Sequence, residues 1–220
     1  MNNHISAVIF DLNGTMINDM EFHIDAWFHL LNGELGARLT RDEVKKQMYG
    51  SNMELFLRVF GPGHFTQEEM ERLSIVKEKR YQLAYRPHLE LIRGLPDFLD
   101  GLYAAHRPMA IASAAIPFNI DFVLDNLQIR RYFNAIVSAE DVTHSKPDPE
   151  TYLKAATVLG ETPDNCLVFE DAPKGVESAM RAGMPCVVLK TLHAEHEFIA
   201  YSNIIQFIDD YRDPFLHQFL

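Results

Sequence analysis

Five short apolar runs, each bounded by polar or glycine-containing turns, constrain the fold of this chain more than any other feature of its sequence. Runs of this length are typical of strands that are buried on both faces of a parallel sheet. We therefore predict strands over Ala7–Phe10, Met109–Ala112, Ala135–Val137, 167–169 and 185–189. Helical patterns separate the later runs, and strands that alternate with helices predict a doubly wound, Rossmann-like α/β fold with a parallel sheet.

Two of the intervening helices are predicted in more detail. The apolar stripe of the first is formed by Leu95, Phe98, Leu99, Leu102 and Tyr103. The second is expected to begin with Asp148 as N-cap and Pro149 at the first helical position, and to end at Gly160.

The stretch from residue 19 to residue 85 differs, because helical patterns follow one another there with no strand between them. Helices are expected over residues 19–31, 41–48, 51–60 and 67–84. The chain is thus expected to leave the sheet after its first strand and to return near Arg86-Pro87. This organisation predicts an α/β core domain from residues 1–17 and 86–220, with an inserted all-α domain over residues 18–85.

Charge and cysteine content exclude several kinds of partner and location. The formal net charge is −11, whereas a nucleic acid or an anionic membrane requires a basic surface. The Met1-Asn2-Asn3-His4 start lacks the features of an export signal, and no apolar run approaches the roughly 18 residues of a membrane helix. Cys166 and Cys186 each adjoin an apolar run, which favours buried reduced thiols. We expect a cytoplasmic monomer that binds neither nucleic acid nor membrane.

Polar side chains follow three of the predicted strands, and a lysine precedes one of the predicted helices. Asp11 follows the first strand, Ser113 the second, and Glu170-Asp171 the fourth, while Lys146 lies before the helix. The carboxyl ends of parallel strands form one edge of the sheet, where open α/β folds bind ligands. A carboxylate nucleophile, a hydroxyl, an ammonium and acidic ligands for a hard cation are the groups needed for phosphoryl transfer through an aspartyl-phosphate.

The turn after the first strand is ambiguous by itself, since Asp11 and Asn13-Gly14 are also common in ordinary turns. In order and spacing, however, the segments that carry Asp11, Ser113, Lys146 and Glu170-Asp171 resemble the haloacid dehalogenase superfamily. The whole chain looks like its β-phosphoglucomutase-like subfamily, with a helical cap inserted after the first motif.

This resemblance implies a role for each matching residue. Asp11 would be the nucleophile, Ser113 and Lys146 would bind the transferring phosphoryl group, and Glu170 with Asp171 would complete a Mg²⁺ site. Further contacts to a small phosphorylated substrate are expected from segments that contain Gly14, Thr15 and Ala114.

Asn13 departs from the family pattern Asp-x-Asp-Gly-Thr, in which the second Asp gives its backbone carbonyl to the metal and acts as general acid and base. An amide side chain cannot exchange that proton at neutral pH, although the backbone carbonyl remains. We expect Mg²⁺ binding to survive and turnover to be strongly impaired, because such groups contribute about 10²–10⁴ in rate. The other motifs are intact, so we interpret Asn13 as an engineered Asp→Asn change, with a natural asparagine as the alternative.

Three residues of the helical insertion are candidate substrate contacts. His23 and Trp27 lie at i and i+4 on one helix face, as a packed pair or as substrate ligands. The resemblance favours the second interpretation, since the family pattern Tyr-His-x-x-x-Trp occurs here as Phe22-His23-Ile24-Asp25-Ala26-Trp27. Lys77 interrupts an apolar stripe made by Met70, Leu73, Tyr81 and Ala84. It either extends its charge to solvent or matches a lysine that the mutases use at the cap face.

The choice of reaction depends on what the mutases have and this chain lacks. Met53 occupies the position of an arginine that binds a second phosphate in those enzymes, and Ala114-Ala115-Ile116-Pro117 replaces polar side chains. We therefore favour a Mg²⁺-dependent phosphatase, with a sugar-phosphate mutase as the alternative. A haloacid dehalogenase needs no divalent cation, which the Glu170-Asp171 pair argues against, and an inactive phospho-ligand-binding protein requires a natural Asn13. His193 and His196 are expected to be solvated surface residues rather than metal ligands.

Overall fold

The computed structural model describes residues 5–220, so the Met1-Asn2-Asn3-His4 stretch used above for the prediction of no export signal lies outside the described residues. The chain forms two compact units. The core unit consists of the segment that ends at Asn18 together with Glu90–Leu220, and the helical unit is Asp19–Leu89.

The core unit is built on one six-stranded parallel sheet. Its strands are β1 (Ala7–Phe10), β2 (Met109–Ala112), β3 (Ala135–Val137), β4 (Cys166–Glu170), β5 (Cys186–Leu189) and β6 (Ile204–Ile208), in the spatial order β3-β2-β1-β4-β5-β6. The first strand is central, and its register pairs Phe10 with Ile111 of β2 and with Phe169 of β4. The predicted doubly wound α/β core is confirmed.

The sixth strand was not predicted. It lies at the edge of the sheet and pairs only with β5 among the described strands, so several of its side chains stay partly exposed. Its apolar run Ile204-Ile205 and Phe207-Ile208, bounded by Asn203 and Asp209, was a usable signal.

Both faces of the sheet are covered by apolar side chains and helices. The core unit contains helices α5 (Leu95–Ala104), α6 (Pro117–Asn126), α7 (Glu150–Leu159) and α8 (Pro173–Arg181). On one face, the rings of Phe10, Phe98, Phe169 and Tyr211 form an aromatic cluster with centroids 5.1–6.4 Å apart. Cys166 and Cys186 are buried and unpaired, as predicted.

Two details of the core helices were predicted wrongly. Tyr103 is 57% exposed rather than part of the buried stripe of α5, because it lies beside Tyr132 at the rim of that stripe. Pro149, not Asp148, occupies the N-cap position of α7, while the Asp148 carboxylate accepts the Glu150 N–H at 3.0 Å. Gly160 ends this helix in the left-handed conformation, as expected.

The helical unit contains α1 (Met20–Phe28), α2 (Arg41–Gln47), α3 (Asn52–Phe60) and α4 (Gln67–Tyr85), close to the predicted bounds. The first helix continues as a wider π-helical turn over His29–Glu34 instead of running to residue 31 as an α-helix. Capping boxes start the other three, with Thr40, Ser51 and Thr66 as N-caps. Ala84 is exposed and Tyr85 is buried in its place, which corrects the predicted stripe of α4.

Within residues 5–220, no helix has both the length and the apolar character required to cross a bilayer.

Candidate active site

The carboxyl ends of β1 and β4 bring three buried carboxylates together. Asp11 follows β1, and its backbone N–H donates to the Phe169 carbonyl at 3.0 Å, which places it beside the end of β4. Glu170 ends β4 and Asp171 follows directly. One carboxylate oxygen of each of these three residues lies within 4.8 Å of the others.

Lys146 balances part of this negative charge. Its Nζ donates to Asp11 Oδ1 at 2.7 Å and to Glu170 Oε1 at 2.8 Å, although only 6% of the residue is exposed. Burial alone would lower the pKa of Lys146, but the two carboxylates raise it above its ordinary value. The lysine is therefore a charged ammonium held against the predicted nucleophile.

The turn after β1 is shaped around Asp171. Gly14 has a φ of +76°, and a Cβ at this position would lie 2.1 Å from Asp171 Oδ2, so a side chain there is excluded. Thr15 is buried, and its hydroxyl donates to Asp171 Oδ1 at 3.2 Å. The structure thus places the predicted substrate residues Gly14 and Thr15 against the Asp171 carboxylate. Asn13 lies in the same turn and is partly exposed.

Ser113 follows β2 at the same edge of the sheet. It is 2% exposed, its N–H donates to the Val137 carbonyl at 2.9 Å, and its hydroxyl accepts the Ala115 N–H at 3.2 Å. This local turn holds the hydroxyl at the strand end, with Ala114 half-buried beside it.

The group formed by Asp11, Glu170 and Asp171 fits a hard divalent cation. Carboxylate oxygens are the ligands that Mg²⁺ prefers, and three carboxylates face one ammonium, so two negative charges remain in excess. The close approach that Gly14 permits keeps the Asp171 carboxylate directed into this group. Among the residues described, His193 and His196 belong to no comparable cluster, and the partly exposed His193 bonds to Glu197.

In the helical unit, Lys77 is buried rather than extended to solvent, which corrects one of the two interpretations above. It is 2% exposed, and its Nζ lies 2.6 Å from His23 Nδ1 and 3.0 Å from both carboxylate oxygens of Glu78. Burial lowers the pKa of Lys77 despite its attraction to Glu78. An ammonium here must donate to His23 Nδ1, so the ring carries its hydrogen on Nε2, 3.2 Å from Asp19.

Trp27 and Met53 belong to the apolar core of the helical unit. Trp27 is 3% exposed and packs edge-on against Phe56 at 5.2 Å, and Met53 packs against the same cluster. This arrangement favours the packing interpretation of Trp27. His23 stacks on Tyr81 with ring centroids 3.7 Å apart.

Sequence reasoning placed Lys146 with its carboxylate partners but missed the polar residues around Lys77 and the tyrosine beside Lys146. Tyr81 donates to Asp19 at 2.5 Å, and Asn52 donates to Glu78 at 2.7 Å, so the Lys77 cluster extends over α1, α3 and α4. The i+4 spacing of Lys77 and Tyr81 was a usable signal for one of these residues. Tyr152, which contacts Lys146 and Glu170, carried no such signal.

Comparison with known proteins gives a consistent result. The sequence model of the haloacid dehalogenase-like hydrolase family matches residues 8–189. The chain is 29% identical to the fructose-1-phosphate phosphatase of Escherichia coli, over 85% of this chain and 97% of that protein. It is 30% identical to the β-phosphoglucomutase of Bacillus subtilis, over 82% of this chain and 81% of that protein. A family IA hydrolase from Entamoeba histolytica shares the fold with a TM-score of 0.85, at 24% identity over 97% of each chain.

Proposed function

The chain belongs to the haloacid dehalogenase-like hydrolase family, in its β-phosphoglucomutase-like branch, and on this basis we propose that it is a phosphatase of a small phosphorylated metabolite. The observation that carries the proposal is the pairing of Lys146 with Asp11 next to Glu170 and Asp171 at the carboxyl edge of the sheet. Phosphoryl transfer to a carboxylate needs at least a nucleophile, a fixed positive charge and a binding site for a metal ion.

In the first half of the reaction, Asp11 attacks phosphorus, a bond from its carboxylate oxygen to phosphorus forms, and the bond to the leaving oxygen breaks. Lys146 neutralises charge on the transferring oxygens, and its own bond to Asp11 fixes that carboxylate in position. Ser113 offers a hydroxyl to the same oxygens. In the second half, water attacks the aspartyl-phosphate and releases inorganic phosphate.

Asp11, Asp171 and the Asn13 carbonyl would hold Mg²⁺, which would supply further charge neutralisation to the phosphate oxygens. Glu170 would contribute negative charge beside the ion rather than a ligand atom, because its carboxylate accepts four hydrogen bonds from the protein. Asn13 can neither protonate the leaving group nor activate water, so both halves are slowed, and the second most, because water has no other assigned base. Leaving groups that need no proton still allow Asp11 to be phosphorylated. If Asn13 is engineered, the native enzyme carries aspartate at this position; if Asn13 is natural, the native enzyme is the slow form. The mechanism proposed for the present chain is the same in both cases.

Two observations favour a phosphatase over the mutase. Met53 packs in an apolar cluster, so it offers no cation to a second phosphate. The charge of Lys77 is balanced by Glu78 inside the helical unit. The relative that is a fructose-1-phosphate phosphatase supports a sugar phosphate as substrate.

We further propose that the helical unit is a cap that selects the leaving group, and that the protein is a cytoplasmic monomer without nucleic-acid or membrane partners. His23 and Lys77 are buried and bonded to each other and to Asp19 and Glu78, so the structure favours a packing role for them over the predicted substrate role. The net charge of −11 and the two buried unpaired cysteines support the location and the absence of anionic partners.

The test is a steady-state comparison of the present chain with its Asn13→Asp variant on phosphorylated sugars, nucleotides and pyrophosphate. We expect the variant to release phosphate about 10²–10⁴ times faster from at least one substrate, and a chelator to abolish the gain. Phosphate release that does not increase in the variant would contradict the proposal. Conversion of a sugar monophosphate into its isomer without phosphate release would favour the mutase. Release of halide from a haloacid in the presence of the chelator, with no phosphate release from any of these substrates, would favour a dehalogenase.

A further inference from the structure

The carboxylate of Glu170 is saturated by donors from the protein. Its Oε1 accepts from Lys146 Nζ at 2.8 Å and from the Tyr152 hydroxyl at 3.0 Å. Its Oε2 accepts the backbone N–H groups of Asp171 at 2.9 Å and of Ala172 at 2.8 Å. A carboxylate has about four acceptor positions, so these four bonds use them all.

The Glu170 side chain is tightly enclosed by the protein. The residue is 2% exposed, and a Cβ at Gly175, in the first turns of α8, would lie 1.7 Å from its Oε1. The backbone of α8 therefore approaches the carboxylate closely, and the absence of a side chain at Gly175 makes this possible. Glu170 links the Lys146 ammonium on one side to the backbone of Asp171 and Ala172 on the other; these two residues join β4 to α8 and form the Asp171 loop.

Tyr152 contacts both members of the Lys146–Glu170 pair. It projects from α7, is fully buried, and places its ring 4.5 Å from Lys146 Nζ while its hydroxyl binds Glu170. A phenylalanine would keep the ring under the ammonium but would leave one acceptor position of Glu170 empty in a buried site, which is unfavourable.

We propose that Tyr152 is a positioning residue that acts through Glu170. Its hydroxyl holds the Glu170 carboxylate in the orientation that aims Lys146 at Asp11 and orders the backbone at Asp171 and Ala172. The assignment deepens the proposed function and rests on it for the role of Lys146 toward the phosphoryl group. The geometric part, the ordering of the Asp171 loop, does not depend on that function.

The matched pair of variants is Tyr152→Phe and Tyr132→Phe. Each loses one hydroxyl from a buried tyrosine of the core unit that donates to a carboxylate, since the Tyr132 hydroxyl donates to Asp100 at 2.5 Å. Tyr132 lies before β3, away from the carboxyl ends of the strands, so the pair controls for the loss of a tyrosine-to-carboxylate hydrogen bond, which is part-buried at Tyr132. Thermal unfolding of both variants measures the stability cost of each.

The first readout is the binding of trifluoroberyllate, an analogue of the phosphoryl group on a carboxylate, in the presence of Mg²⁺. It needs no turnover, so the present chain with Asn13 serves as parent. We expect Tyr152→Phe to weaken binding about 10–100-fold, the usual effect of losing a supporting hydrogen bond, and to move the ¹⁹F resonance of the fluorine that faces Lys146. Tyr132→Phe should leave both the affinity and the ¹⁹F spectrum unchanged.

The second readout is amide hydrogen exchange at Asp171 and Ala172 without ligand. We expect these two amides to exchange about tenfold faster in Tyr152→Phe and at the parental rate in Tyr132→Phe. Parental exchange rates and parental affinity in Tyr152→Phe, or equal effects of the two variants, would overturn the positioning role. If the parent fails to bind trifluoroberyllate while the amides respond as expected, the proposed function fails and the ordering role of Tyr152 stands.

Discussion

Each of the two units of this protein contains a buried lysine in contact with a glutamate, yet the two lysines are in opposite electrostatic situations. Lys146 in the core unit bonds to two carboxylates on neighbouring strands, and its pKa is raised above the ordinary value even though burial works against it. Lys77 in the helical unit bonds to one carboxylate and to a histidine ring, and burial lowers its pKa.

The difference shows that a buried ion pair by itself does not define a catalytic cation. The core cluster combines a firmly charged ammonium with excess negative charge that a metal ion can neutralise. The Lys77 cluster combines one ammonium with the carboxylates of Glu78 and Asp19, a histidine and a tyrosine. Glu78 balances the ammonium, and one negative charge, on Asp19, remains in excess, against two in the core cluster. The first arrangement suits chemistry on an anion, whereas the second connects three helices through polar contacts.

The largest effect is expected when the positive partner of the Lys77–Glu78 ion pair in the helical unit is removed. Lys77→Met leaves Glu78 buried without its cation and should lower the free energy of unfolding by about 3–5 kcal/mol. The double variant Lys77→Met/Glu78→Gln should recover most of that loss, because no buried charge of the pair remains. Urea unfolding measures both, with Lys79→Met on the exposed face of α4 as the control expected within about 0.5 kcal/mol of the parent. A single variant as stable as the double would show that Lys77 is not balanced by Glu78.

The next-largest effect distinguishes the two lysines by how much each contributes to the rate of Asp11 phosphorylation. Lys146→Met should slow the phosphorylation of Asp11 by a small aryl phosphate about 10²–10³-fold, because it removes a fixed cation from the transferring oxygens. The Lys77→Met/Glu78→Gln variant should slow it less than about tenfold, since the ion pair that it removes is balanced within the helical unit. Single-turnover release of the aryl alcohol is the measurement. Equal losses in both variants would remove the distinction between the two clusters.

A smaller effect compares two glycines with the same backbone conformation. Gly14 in the core unit has a φ of +76° and Gly36 in the helical unit a φ of +71°, but a Cβ meets Asp171 only at Gly14 and has open space at Gly36. Gly36→Ala should lose about 1–2 kcal/mol of stability from backbone strain alone, and Gly14→Ala should lose more, because its Cβ also clashes with the Asp171 carboxylate. Only Gly14→Ala should also lose Mg²⁺ affinity, measured by calorimetric titration, because it displaces the Asp171 carboxylate. Equal Mg²⁺ affinities in the two variants would contradict a metal role for Asp171.

The smallest effect concerns alkaline pH. Between the lowered pKa of Lys77 in the folded protein and its ordinary value of 10.5, the unfolded chain binds more protons than the folded one. Stability from this group therefore rises with pH, by at most about 1.4 kcal/mol per pH unit. The parent should show a more positive slope of unfolding free energy than Lys77→Met/Glu78→Gln in the pH range just below the ordinary lysine pKa of 10.5. Parallel slopes would show that the pKa of Lys77 is not lowered.

Several elements could be predicted because local signals agreed with the tertiary structure. The strands β1 to β5 are apolar runs between turn residues, and α2, α3 and α4 of the insertion begin at capping boxes. The edge strand β6 was missed because its run follows an irregular segment and stays half-exposed. Tyr103 and Ala84 were misplaced because a helical stripe is wider in the sequence than the face that is buried.

The candidate site likewise contains residues that could be predicted from the sequence and contacts that could not. Strand ends placed Asp11, Glu170 and Asp171 together, since parallel strands share one carboxyl edge. The Lys77–Glu78 bond could not be predicted, because adjacent helix residues do not normally face each other and only long, buried side chains bring these two together. The Tyr152–Glu170 bond joins α7 to β4, and no local pattern encodes such a contact.

The decisive measurement is mass spectrometry of the chain after incubation with Mg²⁺ and an aryl phosphate whose leaving group needs no proton. We expect one phosphoryl group on the peptide that contains Asp11, accumulating because Asn13 cannot activate water for its release, and none in an Asp11→Asn variant. A phosphoryl group on another residue, or equal labelling of the Asp11→Asn variant, would contradict an aspartyl-phosphate mechanism.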